Sequence, residues 1–315
     1  MSGGRSELRF GIDLGGTKIE IAAIESGGQD AAPPTPLLRE RVQTPKGDYE
    51  GTLRAIVGLV EHAERALGRA TSIGIGTPGS TSPSTGLHRN SNSLCLNGQP
   101  LRSDLERALG RRIGFSNDAN CFALSEATFG AARGAEVVFG VIIGTGVGGG
   151  VVVRGRVIDG RNGIGGEWGH SPLPWRPGFG ALPPLESRPC YCGQIGCREQ
   201  FLSGPAIESE FAALGGPLLP LAEIAARADG GDAVARETIQ RACMRLATSL
   251  ADVINLLDPD CIVLGGGVSN LAAMETTVPA LVARQIFSDG CATRIVRAAL
   301  GDSSGVFGAA MLDAG

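Results

Sequence analysis

The side chains with the most evident chemistry fall in a few short stretches. Cys190, Cys192 and Cys197 lie within eight positions, and His170, one of only three histidines, lies twenty residues upstream. Three thiolates and an imidazole make a closed tetrahedral set, typical of structural Zn²⁺. A reduced thiol cluster is the plainer alternative; a catalytic zinc is disfavoured because four protein ligands leave no open position. Glu167 and Glu199 flank these residues, so a bound metal would hold two carboxylates in place, suited to pairing with sugar hydroxyls. Ordinary surface carboxylates are the alternative.

Asn117-Asp118-Ala119-Asn120 follows the apolar Ile113–Phe115 and precedes a helix-like run over 123–129. A carboxylate at a strand end facing a cleft suits general-base chemistry, whereas Asn and Asp are also the favoured caps of a helix N-terminus. In Asp13-Leu-Gly-Gly-Thr-Lys18, Gly15 and Gly16 expose backbone N–H groups that can cradle phosphate oxygens. Thr17 adds a hydroxyl, Lys18 a cation, and Asp13 a carboxylate suited to Mg²⁺ through water. A generic hairpin would use the same glycines. Gly144-Thr145-Gly146-Val-Gly-Gly-Gly150 formally satisfies G-x-G-x-x-G. A dinucleotide fingerprint needs a helix next, and Val151–Val153 reads as strand, so a second phosphate hairpin is expected and a dehydrogenase is not. Gly265-Gly266-Gly267 ends a buried strand, where a nucleotide could lie on backbone and a plain loop would serve equally.

The elements that must position these residues repeat. Leu8–Leu14, a Gly-Gly turn, Ile19–Ile24 and Leu37–Gln43 read as three strands, with a loop over 31–36 between the last two. A helix over Tyr49–Leu67 follows, placing Leu53, Ile56, Val60 and Ala63 on one face, and then a buried strand over Ser72–Gly76. The stretch Phe139–Val151 aligns with Phe10–Ala22 without a gap through the turn. It leads through Val153 to a short strand at Arg156–Ile158, a long helix from about Ile239 to Leu257, and the strand Cys261–Leu264. Two copies of one unit imply two similar lobes facing a cleft. The sequence predicts a small α/β lobe from residues 1–118 plus a C-terminal helix at about 302–315. It also predicts a large α/β lobe over 119–301 with a Gly/Pro-rich, zinc-binding insertion at 162–205.

Composition narrows the function. Net charge is −4, which favours no nucleic-acid partner. No apolar run reaches the length of a membrane span and the N-terminus lacks a signal-like apolar stretch, so a cytoplasmic protein is expected. Eight cysteines in 315 residues do not suggest a disulfide scaffold. Glycine is abundant, 49 residues against about 22 at average usage.

Taken together, DLGGTK (13–18), GTPG (76–79), NDAN (117–120), GTGVGGG (144–150), GEWGH (166–170), CYCGQIGC (190–197), LDPDCIVLGGG (257–267) and GDSSGVFGAA (301–310) resemble the ROK family of bacterial sugar kinases and repressors over about residues 9–312. The resemblance implies a duplicated actin/hexokinase-like (ribonuclease H-like) α/β fold with an interlobe cleft. It implies ATP with Mg²⁺ and phosphoryl transfer to a sugar hydroxyl, with Asp118 as catalytic base. Gly79, Asn92, Asn117, Glu167, His170 and Glu199 would bind the sugar, while His170, Cys190, Cys192 and Cys197 would bind zinc. A homodimer is expected, since members are commonly dimers or tetramers. Within the family, GSTSPSTG (79–86), NSNSLCLNGQP (90–100) and GEWGHSPLPW (166–175) are similar to fructokinases of the manno(fructo)kinase type, which implies phosphorylation of fructose at its 6-hydroxyl. Kinases for N-acetylglucosamine, glucose or mannose are the alternative, and the first share NDANCFALSEA (117–127). One departure from the fructokinase pattern is Cys95, near which that pattern carries an aromatic; a smaller side chain there widens the pocket. A sugar-sensing repressor of the family would carry an N-terminal helix-turn-helix, for which a first strand near residue 8 leaves no room. An actin-like ATPase would not need Asn117-Asp118 or the carboxylates beside the zinc ligands.

Overall fold

Two runs of alternating aliphatic and small residues, Phe10–Leu14 and Ile73–Thr77, form the centre of the first sheet, where both faces are covered and glycine lets a helix approach closely. The computed structural model describes residues 7–26, 35–174, 187–301 and 304–314. Residues 31–34 of the expected loop, residues 175–186 of the expected insertion (Trp175 among them), Asp302 and Ser303 lie outside the described residues.

In chain order the strands are β1 (Glu7–Leu14), β2 (Lys18–Ser26), β3 (Leu38–Gln43), β4 (Ser72–Thr77), β5 (Ser80–Thr81), β6 (His88–Arg89), β7 (Gly114–Asn117), β8 (Val137–Ile143), β9 (Val147–Val153), β10 (Arg156–Val157), β11 (Cys261–Gly265) and β12 (Arg294–Arg297). The helices are α1 (Tyr49–Leu67), α2 (Leu101–Leu109), α3 (Asp118–Thr128), α4 (Glu199–Leu202), α5 (Gly204–Ala213), α6 (Leu221–Asp229), α7 (Ala233–Leu257), α8 (Ala272–Thr276), α9 (Val278–Ala283) and α10 (Ser304–Ala310).

The two five-stranded sheets have matching orders, β3-β2-β1-β4-β7 and β10-β9-β8-β11-β12. In the first, β1 pairs antiparallel with β2 and parallel with β4. In the second, β8 pairs parallel with β11, and β11 parallel with β12. This is the duplication that the internal repeat implied, in the actin/hexokinase-like arrangement that the family resemblance implied. β12 gave no sequence signal: it is only four residues, Arg at both ends, too short and too polar for an alternation to register.

The chain divides into two compact units. One holds residues 1–136, 150–166 and 299–315; the other holds 137–149 and 167–298. The expected cut at 118/119 placed α3 with the later residues, whereas packing groups it with the first unit. The reason is close backbone approach. A methyl at Gly308 would lie 1.7 Å from the Cys121 carbonyl oxygen, and one at Gly74 would lie 1.8 Å from that of Ala309, so glycine alone lets α10 lie against both α3 and the first sheet.

The first unit's core joins Phe10, Ile12, Ile19, Ile21, Ile73 and Ile75 of the sheet to Ile56, Leu59, Val60 and Ala63 of α1. Asp48 caps α1 by accepting from the Gly51 N–H at 2.8 Å. In the second unit, α7 starts six residues before the expected Ile239, capped by Asp232 accepting from Val234 and Ala235. Its buried Arg245 pairs with Glu210 of α5. Among the described residues no helix is long and apolar enough to cross a membrane.

Candidate active site and metal centre

In the first unit the β1–β2 hairpin closes with the Gly15 N–H donating to the Lys18 carbonyl at 3.0 Å. Thr44 braces it: its hydroxyl donates to the Gly15 carbonyl at 2.7 Å and its N–H to that of Thr17 at 3.0 Å. Gly16, Thr17 and Lys18 are exposed. Lys18 Nζ lies 3.7 Å from Glu20, which also takes Arg39 at 2.5 Å and Arg41 at 2.7 Å. Burial opposes ionisation of Glu20, but the hydrogen bonds from Arg41 and Arg39 outweigh it and hold its carboxylate below the usual range. Asp13 behaves oppositely. Burial first and the Glu20 charge second, against Lys18, push it up to about 6.

At the end of β7, Asn117 accepts from the Ala119 N–H at 2.8 Å and donates to the Gly79 carbonyl at 3.1 Å. Asn117 is therefore the helix cap, which leaves Asp118 as the first residue of α3, exposed and with Oδ1 2.8 Å from the Ala119 nitrogen. The expected helix over 123–129 thus begins earlier, at the motif itself. Gly79 is buried at φ +82°, and a methyl on it would lie 2.3 Å from the Arg89 carbonyl oxygen, so no larger residue fits. Burial pushes the Cys121 thiol well up, and the carboxylates of Asp13, Asp118 and Asp159 add to the effect. In sheet register Asp13 lies opposite Gly76, and a methyl on Gly76 would lie 2.9 Å from Cys121 Sγ, so the end of β1 lies beside the first turn of α3, which Asp118 opens. A cavity of about 480 Å³ in the same unit is lined by Gly16, Thr17, Lys46, Asn92, Cys95 and Leu96, among others. It joins Asn92, expected at the sugar, to the turn expected at the phosphates.

In the second unit, Gly144 N–H donates to the Gly146 carbonyl at 2.9 Å to close the β8–β9 turn, with Thr145 exposed. Gly265 is buried at the end of β11; Gly266, at φ +82°, packs on Ile143, and Gly267 borders Gly144. The two glycine segments are thus neighbours. Glu199 is 9% exposed and Oε2 accepts from the Val147 N–H at 2.9 Å. A methyl at Gly146 would lie 2.7 Å from that oxygen. One oxygen of Glu199 is therefore engaged by the glycine turn, a link invisible in sequence because 52 positions separate the partners. Glu167 is half-buried and precedes the short helical turn Trp168–His170.

The cysteine segment turns tightly through Gly193 and Gly196, at φ +88° and +78°, with bridges Pro189↔Ile195 and Pro172↔Cys197. One ligand atom from each of His170, Cys190, Cys192 and Cys197 lies within 4.8 Å of the others. Cys190 Sγ is 3.6 Å from His170 Nδ1, and Cys192 Sγ is 3.6 Å from Cys197 Sγ. A tetrahedron with Zn–S of about 2.3 Å and Zn–N of about 2.0–2.1 Å has edges of about 3.6–3.8 Å, so the four residues fit Zn²⁺. Tyr191 was not anticipated. Its hydroxyl is 3.0 Å from His170 Nε2. In the ligating tautomer Nε2–H donates to that oxygen and the Nδ1 lone pair faces the thiolates. Both ring nitrogens are then in use, so a sugar contact from His170 requires Tyr191 to give way.

Residues 9–314 match the ROK family. The chain is 39% identical over 309 residues to the N-acetyl-D-glucosamine kinase of Pectobacterium atrosepticum, covering 97% of this chain and 98% of the relative. Among solved structures it is similar to the ROK hexokinase from Thermus thermophilus, at 34% identity and TM-score 0.81, covering 96% of this chain and 97% of the other. It is also similar to a ROK family glucokinase from Streptomyces griseus in complex with glucose and AMPPNP, at 27% identity and TM-score 0.70, covering 96% and 98%. The relative in hand is a kinase for N-acetylglucosamine, so the expected fructokinase assignment lacks support and the alternative hexose fits better. On the strength of a match across nearly its whole length, this chain belongs to the ROK family, and within it to the sugar kinases.

Proposed function

We propose that the chain transfers the γ-phosphoryl group of ATP to the 6-hydroxyl of a hexose, with N-acetylglucosamine as the preferred sugar. The observation that carries the chemistry is the grouping, within one unit, of the exposed Asp118 carboxylate at the start of α3 with Asp13 of β1, whose register partner Gly76 lies against Cys121 of the same helix. Phosphoryl transfer is mostly positioning and electrostatics. Asp118 accepts the proton of the attacking hydroxyl as its oxygen bonds to phosphorus and the bond to the ADP oxygen breaks. The backbone of Gly15–Thr17 and of Gly144–Gly146 cradles phosphates, with Gly265–Gly267 beside the second turn. When bound, Mg²⁺ neutralises charge on the transferring group; Asp13 is the carboxylate that would hold it through water. Asn92, Asn117, Gly79, Glu167 and Glu199 are assigned to the sugar.

The choice of hexose rests on the 39% identity to an N-acetylglucosamine kinase and on the volume that Cys95 leaves in the cavity beside Asn92. A second reading, fructose, is favoured by the stretches at 79–86, 90–100 and 166–175. Coupled ADP-release assays with N-acetylglucosamine, fructose, mannose and glucose side by side decide between them. The expected result is a kcat/KM for N-acetylglucosamine at least about 10-fold above the rest. A comparable lead for fructose would reverse the hexose assignment, and ATP turnover indifferent to any sugar would end the kinase reading.

The raised proton affinity of Asp13 gives a pH signature. Its proton leaves as pH rises through about 6, so kcat/KM for MgATP is expected to climb through that pH. Added Mg²⁺ competes with the proton and moves the midpoint lower. A midpoint that stays put across Mg²⁺ concentrations would remove Asp13 from the metal's coordination.

A further inference from the structure

Ser116 and Asn120 stand on either side of Asn117-Asp118, and both are almost fully buried, at 5% and 3% exposure. Asp159, from the loop after β10, meets both. Its Oδ1 accepts from the Ser116 hydroxyl at 2.7 Å and from the Asn120 amide at 3.1 Å, and the same amide nitrogen lies 3.1 Å from Ser116 Oγ. The Asn120 carbonyl oxygen is buried without a partner among the described residues, so nothing on that side orients the amide. Turning it over would set that oxygen against the Asp159 carboxylate. Asp159 thus decides how Asn120 sits, through charge-assisted bonds roughly twice as strong as neutral ones.

We propose that Asp159 is a positioning residue for the phosphoryl-transfer base: it ties the end of β7 to the first turn of α3 and so sets where the Asp118 carboxylate points. This rests on the assignment of Asp118 as base. Asp159 itself is exposed, so replacing it disturbs no apolar packing.

The test uses the full-length, zinc-loaded protein with MgATP and with N-acetylglucosamine and fructose as sugars. Asp159→Ala is expected to lower kcat by roughly 10-fold, with KM for sugar and ATP changed by less than about 2-fold and thermal stability close to wild type. Asp159→Asn keeps an oxygen acceptor in place and is expected to recover most of the lost turnover. Because Ser116 acts through the same carboxylate, Ser116→Ala and Asp159→Ala should combine with less than additive effect. Unchanged kcat in Asp159→Ala, a change confined to KM, or equal impairment by Ala and Asn would each overturn the positioning role. If Asp118→Asn also keeps wild-type turnover, the base assignment itself fails; if Asp118→Asn is inactive while Asp159→Ala is not, only the present inference does.

Discussion

Asp118→Asn is expected to lower kcat by roughly 10²–10⁴-fold, with a smaller change in sugar affinity. The substitution is informative because it is nearly silent structurally. An asparagine keeps an oxygen that accepts from the Ala119 N–H, as Oδ1 does now, and Asn117 remains the cap that starts α3. The side chain is exposed, so no packing is lost. What disappears is the ability to take a proton from the attacking hydroxyl. Steady-state kinetics with saturating MgATP and varied hexose separate the two effects, since loss of a transition-state interaction lowers kcat and kcat/KM together. A variant that turns over within a few-fold of wild type would remove Asp118 as base.

Stripping the metal should have the next largest effect. Four candidate ligand atoms lie within 4.8 Å of one another, and around Cys190–Cys197 the described residues offer only isolated bridges and glycine turns as secondary structure. Structural Zn²⁺ supplies about 10–16 kcal/mol to zinc-finger peptides near neutral pH; the remaining packing of this unit leaves only a part of that to be lost here. The segment carries Glu199 two residues after Cys197, and Glu199 in turn accepts from the Val147 N–H of the glycine turn. Chelation is therefore expected to release about one zinc per chain, lower the thermal midpoint, and raise KM for the sugar by roughly 10-fold or more, with restoration on re-addition of Zn²⁺. No zinc released and an unchanged KM would show that the four residues do not hold a metal that supports the sugar site. Tyr191→Phe adds a finer check on the same centre: it removes the acceptor for His170 Nε2–H and should weaken zinc retention without touching a thiolate.

The local patterns in this chain were sufficient for the elements that rely on near neighbours. Helix α1 runs over the residues that the spacing of its apolar face marked, and the matching glycine turns of β1–β2 and β8–β9 already announced a duplicated fold. The gathering of the three cysteines was likewise legible, because Cys190, Cys192 and Cys197 share one tight loop and lie close in sequence; the fold brings His170 to them from twenty residues upstream. Tertiary structure alone decided the rest. It assigned α3 to the first unit, through the close approach that Gly308 permits. It engaged one oxygen of Glu199 in the β8–β9 turn, paired Tyr191 with His170, and set Asp159 against Ser116 and Asn120 across some forty positions of chain. The physical reason is common to these cases. Periodicity and turn chemistry report interactions between residues a few positions apart, whereas a hydrogen bond from one loop to a distant helix leaves no period to read. Asp159, surrounded by Ile158 and Gly160, looks in sequence like any solvated turn residue; only the folded chain shows what its oxygen accepts.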